Sequence, residues 1–70
     1  MSSNVYGVTE IVGTSTNGVE DAIESGIARA SNTLRGLNWF EVTEIRGFLG
    51  HTADIQHFQV TMKIGFRLDD

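Results

Sequence analysis

The clearest pattern lies in the last third of the chain. Phe58, Val60, Met62, Ile64, Phe66 and Leu68 alternate with Gln59, Thr61, Lys63, Gly65 and Arg67, the period of two that a β-strand requires. This predicts a strand over about Ile55 to Leu68. A preceding strand covers about Trp39 to Leu49, and Gly50-His51-Thr52-Ala53-Asp54 makes the turn, so the two form a long antiparallel hairpin. Near the N-terminus, Val5, Tyr6, Val8, Ile11 and Val12 supply β-branched and aromatic character, which predicts a strand over about Asn4 to Val12, ended by Gly13.

The period changes between the first two strands. Val19, Ile23, Ile27, Ala30, Leu34 and Leu37 recur at intervals of three and four, one apolar stripe of a helix. Ala22 and Gly26 beside it let the helix lie close on a sheet. Glu20, Asp21 and Glu24 in the first turns and Arg29 and Arg35 towards the end complement the helix dipole. Gly36 is the expected terminator. Asn17 with Glu20 resembles a capping box, and Ser15 is an equally good start. The reading is an α+β chain in the order β-α-β-β.

Fourteen residues of the last strand span almost 50 Å at ~3.4 Å each. A helix of ~20 residues reaches only ~30 Å and leaves part of such a ribbon bare. The Trp39–Leu49 strand also carries apolar groups at both parities: Phe40, Val42 and Phe48 on one, Trp39, Ile45 and Leu49 on the other. A bulge near Glu44 explains that switch, but burial of both faces by another copy is the better single explanation.

Chain length strengthens this point. With 70 residues, positions 1–70 make a single domain that buries only about 60% of the surface its unfolded chain exposes. Domains of this size are supported by disulfides, a metal or self-association. The chain has no cysteine, and His51 and His57 are its only imidazoles, which leaves self-association. Nine acidic against five basic residues, a net charge of −4, argue against binding a nucleic-acid backbone. An anionic small ligand stays open, because one well-placed arginine overrides the net field locally. Met-Ser-Ser-Asn at the start lacks the features of a signal peptide, and no apolar run approaches the ~20 residues of a membrane span. The expected location is the cytoplasm.

Several segments in this order and at this spacing resemble the dodecin family over essentially the whole chain. They are Glu10-Ile-Val-Gly-Thr-Ser15, Ala22-Ile23, Ala28-Arg-Ala30, Leu37-Asn-Trp-Phe-Glu-Val42, Glu44-Ile-Arg-Gly47, Phe58-Gln-Val60 and Gly65-Phe-Arg-Leu68. Trp-Phe-Glu-Val and Glu-Ile-Arg-Gly look like the bacterial branch. The resemblance implies a three-stranded antiparallel sheet wrapped on one helix, assembled as a hollow homododecamer. It also implies flavins bound in pairs near two-fold axes, each isoalloxazine stacked on the tryptophan that matches Trp39. The glutamine matching Gln59 would bond the pyrimidine edge of the ring. Bacterial members prefer FMN, which they store or buffer, and some hold coenzyme A.

The residue types suit those roles. Indole is electron-rich and isoalloxazine electron-poor, so an offset stack on Trp39 buries a large area and quenches flavin fluorescence. The carboxamide of Gln59 both donates and accepts, matching a ring edge with C=O beside N–H. Arg46 and Arg67 are candidates for the ligand's phosphate, Arg46 the better of the two, and equally for ion pairs between subunits with Glu41, Glu44 or Asp69.

Other motifs carry less. Gly13-Thr-Ser-Thr-Asn-Gly18 lacks the Gly-Lys-Ser/Thr ending of a P-loop and reads as a capped turn. His51, Asp54 and His57 flank one hairpin turn but are spread by the strands, so no metal site is assigned. No nucleophile–base–orienter set appears, and the carboxylates form no tuned pair, so no catalytic residue is assigned. The expectation is therefore a non-catalytic, flavin-storing oligomer that binds FMN, or riboflavin and other flavins. A shell for coenzyme A or another ligand, and a small flavin-dependent reductase, are the alternatives.

Overall fold

The computed structural model describes residues 4–68. Its elements are β1 (Val5–Ser15), α1 (Val19–Ala30), β2 (Leu37–Leu49) and β3 (Ile55–Leu68). The three strands form one antiparallel sheet in the order β1-β3-β2, with β3 pairing on both sides. The expected β-α-β-β order and hairpin are both present. β3, the strand with the cleanest period of two, occupies the centre, and its even-numbered residues form the core. Val60, Met62 and Ile64 are buried with Ala22 and Ala30 of α1, and Ile11, Ile23, Ile27, Leu34, Leu37 and Val42 pack around them.

The small residues of α1 set the distance between helix and sheet. Ala22, Gly26 and Ala30 are its buried positions. Opposite them, a Cβ on Gly13 would collide with the backbone oxygen of Ala22, so only glycine lets strand and helix approach this closely. Gly13 is therefore an interior strand residue, and β1 continues past it to Ser15.

The helix is shorter than its apolar stripe. After Ala30, Asn32 N–H donates to Arg29 O and Thr33 N–H to Ala30 O, both at 3.1 Å, and the Ser31 hydroxyl bonds back to Ala28 O at 2.7 Å. Such i→i−3 bonds through Ser-Asn-Thr close the last turn. Leu34 and Leu37 still reach the core, one from the connection and one as the first residue of β2. Gly36, with φ +72°, shapes that connection instead of ending the helix, and its carbonyl accepts from Arg67 N–H at 2.9 Å. The N-terminus also differs. Gly18 is the N-cap and has no side chain to offer, so the Asn17–Glu20 box does not form. Ser15 Oγ accepts from Asn17 N–H at 2.8 Å and Gly18 N–H at 3.4 Å, and its hydroxyl donates to Asp21 at 2.6 Å.

A shift in register between Val42 and Glu44 resolves the mixed parity of β2. Phe40, Val42 and Ile45 pair with Ile64, Met62 and Val60 and share the helix-side face. Trp39, Glu41, Glu44, Arg46 and Phe48 pair with Gly65, Lys63, Thr61, Gln59 and His57 on the other. The bulge alone accounts for the switch, and burial by a second copy is not needed to explain it.

The need for a partner rests on shape instead. The 12-residue helix covers only ~18 Å of the ribbon. The protomer measures 59 × 20 × 13 Å with a radius of gyration of 14.8 Å, against about 11 Å for a compact domain of this length. It exposes 5070 Å², where about 4,300 Å² is typical for this mass. Val8, Val12, Trp39, Ile45, Phe48, Leu49 and Ile55 are among its exposed large apolar residues.

Candidate functional site

Trp39, Gln59, Arg46 and Arg67 all stand on the sheet face turned away from α1. The register fixes this: Trp39 opposes Gly65, Arg46 opposes Gln59, and Arg67 opposes Tyr6, all odd-numbered positions of β3 and their partners. The helix-side face belongs to the even positions.

On that outer face they fall into two groups. Trp39 rests on Gly65, where the space a Cβ would need is taken by indole atoms Cε2, Cζ2 and Nε1. Glycine in the middle of a strand is otherwise a loss of packing, and here it is a seat. Arg67 follows two residues on, beside Tyr6. The second group is the Arg46–Gln59 cross-strand pair. Arg46 also bonds Glu44 Oε1 at 2.8 Å, a half-exposed ion pair that holds the guanidinium along β2. Next along the hairpin, the rings of Phe48 and His57 stack at 4.5 Å with an interplanar angle of 12°.

Gln59 and Gly65 stand six positions apart along β3, roughly 20 Å of strand. That exceeds the length of a three-ring heterocycle. A planar ligand stacked on Trp39 therefore cannot reach Gln59 of the same chain. Between the two groups lies a charged row in which Lys63 faces Glu10 on one side and Glu41 on the other.

No single-chain cavity at Trp39 has the size of a cofactor site. A cleft of about 160 Å³ lies among Ile27, Leu37, Asn38, Trp39, Phe40 and Ile64, below the ~300 Å³ usual for ligand pockets. A larger hollow of about 380 Å³ sits at the other edge, between Thr9, Ile11 and Val12 of β1, the helix end at Arg29 and Ala30, and Leu34 of the connection. Asp69, an expected ion-pair partner of the arginines, lies outside the described residues. Among the described residues no three of His, Cys, Asp and Glu converge as metal ligands. Asp54 belongs to the hairpin turn, where Thr52 Oγ1–H and Gln56 Nε2–H donate to its carboxylate at 2.7 and 2.6 Å. The Thr52 bond is the largest of the effects that lower its pKa.

The sequence reading missed Gly65 as the seat of the indole, although an isolated glycine in an alternating strand is a signal for close approach. It also missed Tyr6 and Val8, which β1 places beside Arg67 and Gly65. Only the register between β1 and β3 reveals them.

A family model described as Dodecin matches residues 5–69. The curated Dodecin of Thermus thermophilus is 52% identical over 66 residues, 94% of each chain. The solved dodecin from Streptomyces davaonensis superposes with a TM-score of 0.92 at 59% identity, over 99% of this chain and 100% of that one. The solved dodecin from Streptomyces coelicolor gives 0.92 at 50% identity, over 100% and 99%.

Proposed function

The chain belongs to the dodecin family, one of small flavin-binding proteins, and on that premise we propose that it binds and stores FMN without catalysing a reaction. The observation that carries this reading is the indole of Trp39 resting on Gly65 and 41% exposed on an uncovered sheet face. A large aromatic left open there is a platform awaiting a planar partner. Stacking an electron-poor ring on it contributes about 0.5–1.5 kcal/mol beyond the area buried.

The pocket is completed by a second copy. Because Trp39 and Gln59 lie too far apart on one chain, a two-fold partner laid antiparallel on the outer face brings its own Gln59 and Arg46 towards Trp39. Such an isologous contact makes two equal sites at once. The carboxamide then meets the N–H and C=O edge of the ring. Arg46 and Arg67 are the available cations for the phosphate. The assembly is a closed homododecamer, in line with the family and with the exposed apolar surface. Binding on this face holds oxidised ligand tightly and leaves no space for a second substrate, which favours storage over turnover.

Titration of apo-protein into dilute FMN, read by flavin fluorescence, tests the assignment. The expected result is quenching that saturates near one flavin per chain and weakens about tenfold or more, about 1.4 kcal/mol, in Trp39→Ala. Absence of quenching at micromolar protein overturns it.

A further inference from the structure

We propose that Asn17 is a site of spontaneous deamidation, in which the folded protein converts this asparagine to aspartate and isoaspartate. Four asparagines occur in the chain, and Asn17 alone precedes glycine; Asn4, Asn32 and Asn38 precede valine, threonine and tryptophan. The reaction needs the amide nitrogen of the following residue to reach the asparagine Cγ, and a side chain on that residue obstructs it. Gly18 carries no such side chain, and beyond its chain neighbours Asn17 and Val19 no atom lies within 4 Å of where its Cβ would stand.

The surrounding bonds leave the reacting groups accessible. Asn17 is exposed, and among the described residues no hydrogen bond holds its carboxamide. Gly18 N–H is held only by a long 3.4 Å bond to Ser15 Oγ, whose close partner is instead Asn17 N–H at 2.8 Å. Gly18 precedes the first turn of α1, so its nitrogen is not fixed by a helical bond.

The chemistry balances with water alone. Gly18 N bonds to Asn17 Cγ, the Cγ–Nδ2 bond breaks, and ammonia leaves with the proton that Gly18 N gives up. Water then opens the cyclic imide. Cleavage at Cγ restores the normal backbone with aspartate at position 17, and cleavage at the main-chain carbonyl leaves isoaspartate. Either product is one charge more negative. Isoaspartate also adds a methylene to the main chain between the Ser15 hub and Gly18, whose carbonyl accepts the first helical bond from Ala22 N–H at 3.1 Å. That product loosens the start of α1.

The test is to age the assembled wild-type protein in mildly alkaline buffer and map its peptides by mass spectrometry, with a methyl-transfer assay for isoaspartate. Gly18→Ala is the control; the φ of 165° at this site is extended backbone and the space is open, so alanine fits without strain. Conversion at Asn17 is expected to be roughly tenfold or more faster than at Asn32 or Asn38, and to fall to their level in Gly18→Ala. Equal rates at the asparagines, no effect of Gly18→Ala, or conversion only after unfolding would each overturn the proposal.

Discussion

The indole of Trp39 occupies the space where Gly65 would carry a Cβ. A methyl group there cannot coexist with the observed indole position, and overpacking of this kind costs typically 1–3 kcal/mol. Gly65→Ala is therefore expected to displace Trp39 while leaving the buried Val60, Met62 and Ile64 in place. Flavin quenching should fall about as far as in Trp39→Ala, with a far-ultraviolet circular dichroism spectrum like that of wild type. Unchanged quenching would show that the platform is not where this geometry puts it.

A charge on the outer face should prevent assembly. Val12 is exposed there, beside Thr61 of β3. Burying an unpaired carboxylate is unfavourable by several kcal/mol, so Val12→Glu is expected to give smaller species in analytical ultracentrifugation. The stability of wild type should also rise with protein concentration, as it does when folding is linked to association.

Within the protomer, Met62 is fully buried between sheet and helix. Truncation to alanine leaves a cavity and should cost about 2–5 kcal/mol in denaturant unfolding. In a chain whose buried hydrophobic core consists of Ala22, Ala30, Val60, Met62 and Ile64 among the described residues, that is a large share of the stability.

The hairpin turn gives two opposite expectations. Ala53 has φ 64°, a conformation that disfavours a Cβ, so Ala53→Gly should raise stability by about 0.5–1 kcal/mol. Asp54 ionises below its ordinary value of 3.8, chiefly because the Thr52 hydroxyl bonds its carboxylate. A carboxylate whose folded pKa is depressed stabilises the fold above its unfolded pKa and loses that contribution as pH falls through the folded one. Thr52→Val should therefore lower stability near neutral pH and have progressively less effect under acid conditions, in melts followed from neutral pH downwards.

Much of the architecture was legible in the residues because one strand carried a strict period of two. β3 was bounded correctly from Ile55 to Leu68, and its alternation separated core from outer face. The helix was overextended because Leu34 and Leu37 continue its spacing, although they reach the same core from a turn and a strand. Apolar spacing reports a shared destination, and only the bonds around Ser31, Asn32 and Thr33 show where the helix stops. Gly13 differs for a related reason: a glycine that ends a strand and one that admits a helix look alike in sequence. Trp39, Arg46, Gln59 and Arg67 were named from residue chemistry and family resemblance, but their division into two groups came from register. The bulge after Val42 decides which β2 side chains share a face, and the change of apolar parity near Glu44 is what marks it in the sequence.

The central claim is that each flavin site takes Trp39 from one chain and Gln59 from another. Subunit complementation tests it most directly. Trp39→Ala and Gln59→Ala chains are refolded separately and as an equimolar mixture, and each sample is titrated against FMN. Each variant alone should bind weakly, whereas the mixture should regain tight, quenching sites in about a quarter of its pockets, those pairing Trp39 of one variant with Gln59 of the other. A mixture that binds no better than the two variants apart, while wild type refolded in the same way binds tightly, would contradict a site shared between chains.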